Sequence, residues 1–458
     1  MNIDTICALA TAPGGALGII RISGAQALEI LSRIFTKDLT TAQPNTIHYG
    51  HIVECVASVA VPQQQTTIID EVLVSVFRAP HSYTGEDSAE ISCHGSRYIL
   101  NKVLELLCQQ GCRMANPGEY TQRAYLNGKI DLSQAEAVAD LIASSNKATH
   151  DIAMSQLRGH FSSLLAQLRE QLLKLTSLLE LELDFSDHED LEFADRSDLL
   201  SLANKIDKHI SSLIHSFDIG NALKQGIPVA IIGKTNVGKS TLLNALLKDD
   251  RAIVSDVHGT TRDTIEDVME IHGVLFRFID TAGIRQTTDQ VEQIGIERTF
   301  QAIQKARIIL WLIDEKPTNE EINKISEQTK NKKLIIVKNK IDKSDNNSYN
   351  LLNTPNLAIS AKFGTGINEL EQAIYDAADI PTLSDSDVIV INARHYDALN
   401  RAHQSLTRIV SGLQQSISGD LLSEDLRDVL NILSEITGGQ ITTNEVLGNI
   451  FMNFCVGK

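Results

Sequence analysis

Long apolar runs, a leader-like start and paired cysteines are all missing from this 458-residue sequence. No stretch approaches the roughly 18 consecutive apolar residues that a membrane-spanning helix requires, so we expect no membrane segment. Residues 1–15 carry no basic segment ahead of an apolar one, which predicts a cytoplasmic chain without a secretion signal. The six cysteines are scattered and form no C-x-x-C pair, so neither a disulfide framework nor a zinc site is indicated.

The sequence also has fewer basic than acidic residues. The chain has 41 Lys and Arg against 58 Asp and Glu, a formal net charge of −17. Proteins that hold RNA or DNA through its phosphates normally present a basic patch, so a nucleic-acid role here requires a local patch or a partner. An apolar share of 43% and a charged share of 22% exclude disordered and collagen-like classes. The length suits two or three domains of about 150 residues each.

The pattern of the first quarter of the chain differs from that of the residues after Ser133. Residues 18–24 and 72–77 read as strands bounded by turn residues. Ser133 and Glu136 predict a capping box, and residues 134–185 contain no proline and one glycine, which favours one or two long helices. Apolar residues recur three and four apart on one helix face, at Leu157, Phe161, Leu164, Leu168, Leu172, Leu175 and Leu179.

Residues 227–380 alternate apolar strands with helical segments. This alternation is the βαβ pattern of a parallel sheet covered by helices on both faces. Residues 381–387 have the composition of a linker, and residues 395–437 return to helical spacing. One helix face there is apolar, formed by Leu399, Ala402, Leu406, Ile409 and Leu413. Because helical stretches flank the α/β segment on both sides, we expect an α/β domain inserted into a helical domain.

The strongest local signal is a phosphate-binding loop. Residues 233–240 spell G-x(4)-G-K-S between a strand-like and a helix-like segment, the context that this motif requires. Backbone N–H groups and the helix N-terminus cradle the phosphates, Lys239 reaches the β- and γ-phosphates, and the Ser240 hydroxyl faces Mg²⁺. The nucleotide contacts predicted here are Asn236, Val237, Gly238, Lys239, Ser240 and Thr241.

Two further elements belong to the γ-phosphate side of such a site. The sequence Asp280-Thr281-Ala282-Gly283 ends a strand-like segment, so Asp280 can hold Mg²⁺ through water and Gly283 can give its amide to the γ-phosphate. Residues 259–263 (Gly-Thr-Thr-Arg-Asp) read as the switch that reports the γ-phosphate, through Thr261 and Mg²⁺.

The base is read by two elements further along the chain. Asn339, Lys340 and Asp342 form N-K-x-D after a strand, and the Asp342 carboxylate can accept from both N1–H and N2–H₂ of guanine. Adenine lacks that pair of donors, so the predicted nucleotide is GTP. Ser360-Ala361-Lys362 follows, with a backbone amide that can meet the guanine O6.

One position lacks the residue that Ras-like hydrolysis uses. A glutamine after the Asp-x-x-Gly element orients the attacking water in those proteins, whereas Ile284 stands here. An aliphatic side chain cannot position water, and no arginine finger can be named from the sequence. Either hydrolysis is negligible or another residue positions the water, and the charge that develops on the transferred phosphoryl group needs another source of compensation.

With these motifs in place, the whole chain resembles the MnmE (TrmE) family, GTPases that act in modification of the tRNA wobble uridine. The resemblance lies in stretches that generic G domains do not share, and the final C-x-x-K is the most specific of them. These stretches are residues 17–24, 83–87, 117–127, 129–137 and 454–458.

The resemblance implies an α/β plus α fold with three domains. An N-terminal α/β domain over residues 1–120 would bind a tetrahydrofolate and dimerise. A discontinuous helical domain would comprise residues 121–220 and 381–458, and a Ras-like P-loop G domain, residues 221–380, would be inserted in it.

The resemblance also implies replacements for the missing glutamine and arginine finger. It implies that K⁺ takes the place of an arginine finger, that Glu292 orients the attacking water through a second water, and that two G domains of a dimer meet across their switches. The K⁺ ligands that it implies are Asn236, Ser255, Val257 and Thr260, and the Mg²⁺ ligands are Ser240 and Thr261. The switch residues that it places in contact with GTP are Ser255, Asp256, Val257, His258, Gly259, Thr260 and Thr261. The chain departs from the usual pattern at Thr235, where proline is common, and at Ser255, where threonine is common.

The folate contacts implied by the resemblance are Arg21, Glu90, Lys129 and Lys458, for a 5-formyl- or methylene-tetrahydrofolate. Cys455 would take part in the modification chemistry; a buried structural thiol is the alternative, and a prenylation box would not end in lysine. Cys93 and His94 invite a nucleophile and base interpretation, but adjacent strand residues point to opposite faces, so we treat them as structural.

The implied function is K⁺-stimulated GTP hydrolysis coupled to addition of an aminomethyl or carboxymethylaminomethyl group to C5 of the wobble uridine. The implied partners are a second copy of the chain and the FAD-containing flavoprotein MnmG in a heterotetramer, with tRNA bound mainly by the flavoprotein. Two rivals stay open: a non-enzymatic GTP switch in ribosome assembly, and a self-sufficient folate-dependent transferase.

Overall fold

The computed structural model describes residues 4–56, 65–184, 196–247, 267–279, 301–343, 356–380, 388–415 and 417–439, and residues 447, 450–452, 454 and 457. The chain divides into two compact units, residues 1–139 with 433–458 and residues 140–432. The three-domain division at residues 120, 220 and 380 stays a prediction.

The first unit is built on a six-stranded sheet with helices. Its strands are β1 (Ile6–Leu9), β2 (Leu17–Ser23), β3 (Thr46–Val56), β4 (Gln65–Phe77), β5 (Ser88–His94) and β6 (Arg113–Met114). Its helices are α1 (Ala27–Ile34), α2 (Arg97–Gln109) and α3 (Glu119–Leu126), and α4 (Leu132–Ala143) begins in it. The strand order is β3-β4-β5-β2-β1-β6, antiparallel except between β1 and β6. The strands predicted at residues 18–24 and 72–77 correspond to β2 and the end of β4.

The two faces of this sheet differ in environment. Ile20 and Ile22 on β2 point into an apolar core that also contains residues of α1 and α2. Because side chains alternate along a strand, Arg21 lies on the opposite face, beside Glu90 on β5. The predicted folate residues of the sheet, Arg21 and Glu90, therefore meet on this second face, which we call the open face.

Cys93 and His94 point to opposite faces, as their strand position predicts. Cys93 belongs to the apolar core, and burial raises its thiol pKa to about 12. His94 is exposed, and its Nδ1 lies 2.7 Å from Asp70 Oδ1. The two side chains cannot act together as nucleophile and base.

A network of charges ties the start of the chain to α3. Arg123 is buried and donates to the Asp4 carbonyl and carboxylate at 2.9 Å, to Glu86 at 3.2 Å and to Glu119 at 3.0 Å. Glu119 also accepts from Arg113 at 2.7 Å. Burial alone would raise the pKa of Glu119, but the hydrogen bonds that it accepts, first among them that from Arg113, hold its pKa below the ordinary value. Residues 83–87 and 117–127, two stretches of the family pattern, therefore bind each other.

The capping box of α4 lies two residues before the predicted one. Asp131 Oδ1 accepts from the Gln134 amide at 2.9 Å, and Gln134 Oε1 accepts from the Asp131 amide at 3.0 Å. The prediction of Ser133 and Glu136 was wrong because aspartate and glutamine also satisfy this motif and stand where the helix begins.

The helices of the second unit are α5 (Lys147–Leu157), α6 (His160–Asp184), α7 (Arg196–Gln225), α8 (Lys239–Leu247), α9 (Asn319–Gln328), α10 (Ile367–Ala377), α11 (Ala393–Gln414) and α12 (Gly419–Thr437). Residues 134–184 thus contain parts of three helices, α4, α5 and α6, more than predicted. Asn146 caps α5 by accepting from the Thr149 amide at 3.0 Å, and Gly159, at φ +84°, separates α5 from α6. None of the described helices combines the length and apolar composition needed to cross a bilayer.

The apolar stripes of the long helices are largely as predicted. On α6, Leu165 is buried instead of the predicted Leu164. Leu157, the last residue of α5, is only half-buried. The other predicted residues of the α6 stripe are buried, namely Phe161, Leu168, Leu172, Leu175 and Leu179. All five predicted residues of α11 are buried, namely Leu399, Ala402, Leu406, Ile409 and Leu413.

A second six-stranded sheet forms the G domain. Its strands are β7 (Ile227–Gly233), β8 (Asp267–Ile271), β9 (Val274–Phe278), β10 (Ile308–Ile313), β11 (Lys333–Lys338) and β12 (Asn356–Ala358). They lie in the order β12-β11-β10-β7-β9-β8, parallel except for β8 against β9. This is the Ras-like order, and it confirms the predicted α/β plus α fold class.

The helices on either side of the G domain pack against each other, which explains how the domain can be inserted. The rings of Phe217 on α7 and Tyr396 on α11 stack with centroids 4.2 Å apart. His403 Nδ1 lies 2.6 Å from Asp207 Oδ1, and the Val390 amide donates to Ser216 Oγ at 3.1 Å. The chain therefore leaves the helical bundle and returns to it at neighbouring points.

Candidate functional site

The phosphate-binding loop lies between β7 and α8, at the carboxyl edge of the sheet next to the point where the strand order reverses. Ligands of open α/β sheets bind at such points. Three loop residues have positive φ: Gly233 at +149°, Asn236 at +62° and Gly238 at +104°. A Cβ on Gly238 would overlap the side-chain nitrogen of Asn339, so only glycine fits there. Val237 is buried, and Ser240 and Thr241 lie in the first turn of α8.

Lys239 is the first residue of α8. Its Nζ donates to the carbonyls of Gly233 and Lys234, both at 2.7 Å, and burial lowers its pKa. The ammonium group is thus held over the loop, where the N-terminal amides of α8 also favour an anion.

Asn339 connects the loop to the two base-reading elements. It is 3% exposed, its Nδ2 donates to the Val237 carbonyl at 2.9 Å, and its Oδ1 accepts from the Ala361 amide at 3.0 Å. One side chain thus joins three sequence motifs between residues 237 and 361, which aligns the base end of the site with the phosphate end.

Asp342 is oriented by the next motif. Ser360 Oγ donates to Asp342 Oδ1 at 2.7 Å, and this hydrogen bond is the main cause that lowers the carboxyl pKa. The group is therefore an ionised, double acceptor at neutral pH, as recognition of guanine requires. Lys340 adopts φ +63°, and Lys362 Nζ lies 5.2 Å from the centroid of the Phe363 ring.

Two contacts of this site could not be read from the sequence motifs. Lys234 Nζ lies 2.7 Å from Glu321 Oε1, and Lys340 Nζ lies 2.7 Å from Asp314 Oδ2. Glu321 shares a capping box with Thr318, and this T-x-x-E pattern is visible in the sequence. Its contact with the loop is not visible, because it depends on how two elements pack.

Several predicted residues lie outside the described part of the chain. They are Ser255, Asp256, Val257, His258, Gly259, Thr260, Thr261, Asp280, Thr281, Ala282, Gly283, Glu292, Cys455 and Lys458. Within the described ranges, no group of three or more His, Cys, Asp or Glu is arranged to hold a metal ion. The described residues predicted to hold cations are of other types: the Asn236 carboxamide for K⁺ and the Ser240 hydroxyl for Mg²⁺. Asn236 lies in the phosphate-binding loop and Ser240 in the first turn of α8, so both belong to the phosphate side of the site, which fits that role.

A second candidate site lies on the open face of the first unit. Arg21 Nη2 and Nε donate to Glu90 Oε1 at 2.6 and 3.0 Å, and the side chains are 21% and 30% exposed. The Arg21 guanidinium carbon lies 5.8 Å from the Tyr83 ring centroid and 5.7 Å from that of Tyr120. The site thus combines a carboxylate, a guanidinium and a Tyr83 ring that is 42% exposed.

Lys129 joins this site through the loop that carries Tyr83. Its Nζ donates to the Pro80 carbonyl at 2.9 Å, and its stem passes Gly85. Tyr83 and Thr121 share a hydrogen bond of 2.9 Å between their hydroxyls. Arg21 and Lys129 therefore both lie beside this loop, and Glu90 is joined to it through Arg21. The fourth predicted folate residue, Lys458, lies outside the described residues.

Comparison with known proteins is consistent across the chain. The family profile described as "GTP-binding protein TrmE N-terminus" matches residues 5–129, and the profile "MnmE helical domain" matches residues 132–455. The chain is 54% identical to the tRNA modification GTPase MnmE of Bacteroides thetaiotaomicron, with 100% of both chains covered. It is 50% identical to the protein of that name in Flavobacterium johnsoniae, again over 100% of both. Among solved structures, the G domain of the T. maritima FeoB iron transporter is 25% identical, with 33% of this chain and 98% of that one covered and a TM-score of 0.26.

Proposed function

Because the chain belongs to the MnmE family of tRNA modification GTPases, we propose that it couples GTP hydrolysis to the addition of an aminomethyl or carboxymethylaminomethyl group to C5 of the wobble uridine of certain tRNAs. It is a GTP hydrolase that acts in tRNA modification. The observation that favours GTP over ATP is the orientation of the Asp342 carboxylate, whose Oδ1 accepts a hydrogen bond from Ser360 Oγ at 2.7 Å.

The phosphate end of the site offers electrostatic stabilisation. Lys239 and the N-terminal amides of α8 surround the place where the β- and γ-phosphates would lie, so charge on the transferred phosphoryl group would meet fixed positive dipoles. Mg²⁺, held by Ser240 and Thr261, would add Lewis-acid stabilisation when bound. Asn236, at its left-handed backbone position, would direct a carboxamide oxygen towards K⁺.

GTP hydrolysis should depend on the monovalent cation. We expect hydrolysis in K⁺ to exceed that in Na⁺ by about tenfold at equal ionic strength, because a cation held by neutral oxygens replaces the missing arginine finger. Steady-state phosphate release in the two salts, with Asn236→Ala as the variant that should remove the difference, measures this. Equal rates in both salts would defeat the K⁺ proposal.

Glu292 is proposed to orient the attacking water in place of the glutamine that Ile284 replaces. Glu292→Ala should lower kcat about 100-fold and leave GTP affinity nearly unchanged, since a water-orienting group acts in the transition state. Single-turnover hydrolysis and nucleotide titration separate the two quantities. Glu320→Ala, on the exposed first turn of α9, is the matched control and should be silent. An unchanged kcat in Glu292→Ala would remove this residue from the mechanism.

The open face of the first unit fits a folate. A pterin ring presents N–H donors that Glu90 can accept, and the glutamate tail presents carboxylates for Arg21 or Lys129. The exposed Tyr83 ring can stack against a flat heterocycle. A 5-formyl- or methylene-tetrahydrofolate bound here would supply the one-carbon unit, and Cys455 would act in the same chemistry.

The same face supports a homodimer. Beside the charged site it exposes large apolar side chains, of which Leu17 is 66%, Ile47 67%, Tyr49 53% and Leu73 47% exposed. A second copy of the chain would cover this surface. Sedimentation at micromolar concentration should give twice the chain mass of 50.3 kDa, and Leu73→Glu should shift it to the single mass. A wild-type protein that sediments as one chain would contradict the dimer.

The acidic chain leaves most tRNA contact to a partner. We propose that the flavoprotein MnmG, with its FAD, forms a heterotetramer with this protein and binds tRNA, in the cytoplasm where tRNA is found. The net charge of −17 supports this division of labour. A reconstitution with purified tRNA, folate, glycine or ammonium and GTP, with and without the flavoprotein, tests it. Modification should require both proteins; full activity of this chain alone would favour the self-sufficient transferase.

The other rival, a GTP switch in ribosome assembly, leaves the first unit unexplained. A GTP switch has no need of the polar site formed by Arg21, Glu90 and Tyr83 in the first unit. The name of the relatives also refers to tRNA modification. Co-sedimentation with ribosomal subunits in the presence of GTP, without loss of modified uridine on deletion, would favour that rival.

A further inference from the structure

Arg21 has a third partner besides Glu90 and the tyrosine rings. Its Nη1 donates to the carbonyl oxygen of Gly457 at 3.0 Å, a contact between residues 436 positions apart. The two bonds to Glu90 both end on Oε1, so they fix one edge of the guanidinium group. The bond to Gly457 fixes the other edge and thereby sets the plane of the group.

The Gly457 backbone can accept this bond only because the residue is glycine. It is buried, with φ +91°, and a Cβ would lie 2.5 Å from the Leu9 carbonyl oxygen and 3.1 Å from Ala10 Cα. Both neighbours are backbone atoms of β1 and its end, which cannot rotate away. An L side chain at this position therefore forces Gly457 off the sheet and lengthens its bond to Arg21.

The residues before Gly457 are anchored independently of it. Phe451 packs with Leu447 against Leu132 and Ala135, and the Phe451 and Phe454 rings lie 5.0 Å apart. A change at Gly457 should thus disturb the contact with Arg21 without releasing the preceding residues from the first unit.

We propose that Gly457 is a positioning residue for the folate site: its carbonyl group holds the Arg21 guanidinium in the plane in which Arg21 contacts the ligand. This inference rests on the proposed folate function of Arg21 and Glu90. Gly457 itself would touch no ligand and would act only through Arg21.

Gly457→Ala tests the inference by calorimetric titration with 5-formyl-tetrahydrofolate. Loss of one charge-assisted hydrogen bond that orients a ligand-binding group should weaken binding about tenfold, with kcat and KM for GTP unchanged. Gly14→Ala is the matched control, because Gly14 has φ +100° but open space around its Cβ position. It introduces the same backbone strain without a clash and should bind folate as the wild type does.

A double-mutant cycle separates positioning from general disturbance of the fold. If Gly457 acts through Arg21, then Arg21→Lys with Gly457→Ala should bind folate no more weakly than Arg21→Lys alone. Additive losses, or a Gly457→Ala variant with wild-type affinity, would overturn the inference and leave the folate proposal intact. A wild-type protein that binds no folate would overturn both.

Discussion

Asp342→Asn should change the nucleotide that this protein hydrolyses from GTP to XTP. Guanine presents two donors, N1–H and N2–H₂, to the two carboxylate oxygens, whereas an amide offers one acceptor and one donor. Xanthine presents N1–H and a carbonyl oxygen at C2, which match the amide. Recognition by paired hydrogen bonds of this kind discriminates by about 10⁴-fold, so GTP affinity should fall by that order and XTP hydrolysis should appear.

The structure also explains why this exchange should leave the rest of the site intact. Ser360 Oγ donates to Asp342 Oδ1 at 2.7 Å and can donate to the asparagine oxygen in the same way. The second lone pair of that oxygen can accept from N1–H of the base, and the amide nitrogen can donate to the carbonyl at C2. Competition titrations with GTP and XTP measure the switch. Asp376→Asn, which alters an exposed carboxylate on α10, is the control and should keep GTP preference. Unaltered GTP affinity in Asp342→Asn would mean that this carboxylate does not read the base.

Arg123→Met should destabilise the first unit by about 3–5 kcal/mol, the usual cost of removing one partner from a buried ion pair. Methionine retains much of the volume, but Glu119 and Glu86 lose a donor and Asp4 loses its link to α3. The lowered pKa of Glu119 gives the sign of the pH dependence. The contribution of ionised Glu119 to stability is present above the ordinary carboxyl pKa of 4.5 and is lost as the pH falls through the lowered pKa of Glu119. On acidification the variant should therefore lose less stability than the wild type does.

The chain offers a clean way to assign this effect to one unit. Its single tryptophan, Trp311, lies on β10 of the G domain, so its fluorescence reports the second unit, while hydrogen exchange of residues 4–126 reports the first. Exchange protection should collapse in Arg123→Met with the Trp311 transition unmoved. Arg33→Met removes an exposed pair with Glu29 and should cost under about 0.5 kcal/mol. Equal stability of the two variants would show that the network contributes little.

The G domain is the part of the fold that could be predicted best. Three of its strands, β7, β10 and β11, are largely buried apolar runs. The motifs at residues 233–240, 339–342 and 360–362 each stand at the end of a strand, so spacing alone places Gly238, Lys239, Asn339 and Asp342 on one edge. What spacing cannot give is the bridge made by Asn339, whose amide meets both Val237 and Ala361. That contact depends on the packed positions of three loops.

The first unit could be predicted less well, for physical reasons. Its strands are short or half-exposed, and its site is assembled by long-range contacts such as Arg21 with Gly457 and Arg123 with Asp4. No periodicity records such pairs, and only the family resemblance pointed to Arg21, Glu90 and Lys129. The misplaced capping box at Ser133 has a different cause: overlapping D-x-x-Q and S-x-x-E patterns both fit, and only the hydrogen bonds distinguish them.

The most direct test of the proposed function is nucleoside analysis of total tRNA from cells that lack this protein, complemented in parallel with the wild type and with Asp342→Asn. The C5 aminomethyl-type modification of the wobble uridine should be absent without the protein, return with the wild type, and stay absent with the variant because cellular XTP does not replace GTP. Undiminished modification in the deletion strain would contradict a role in this reaction.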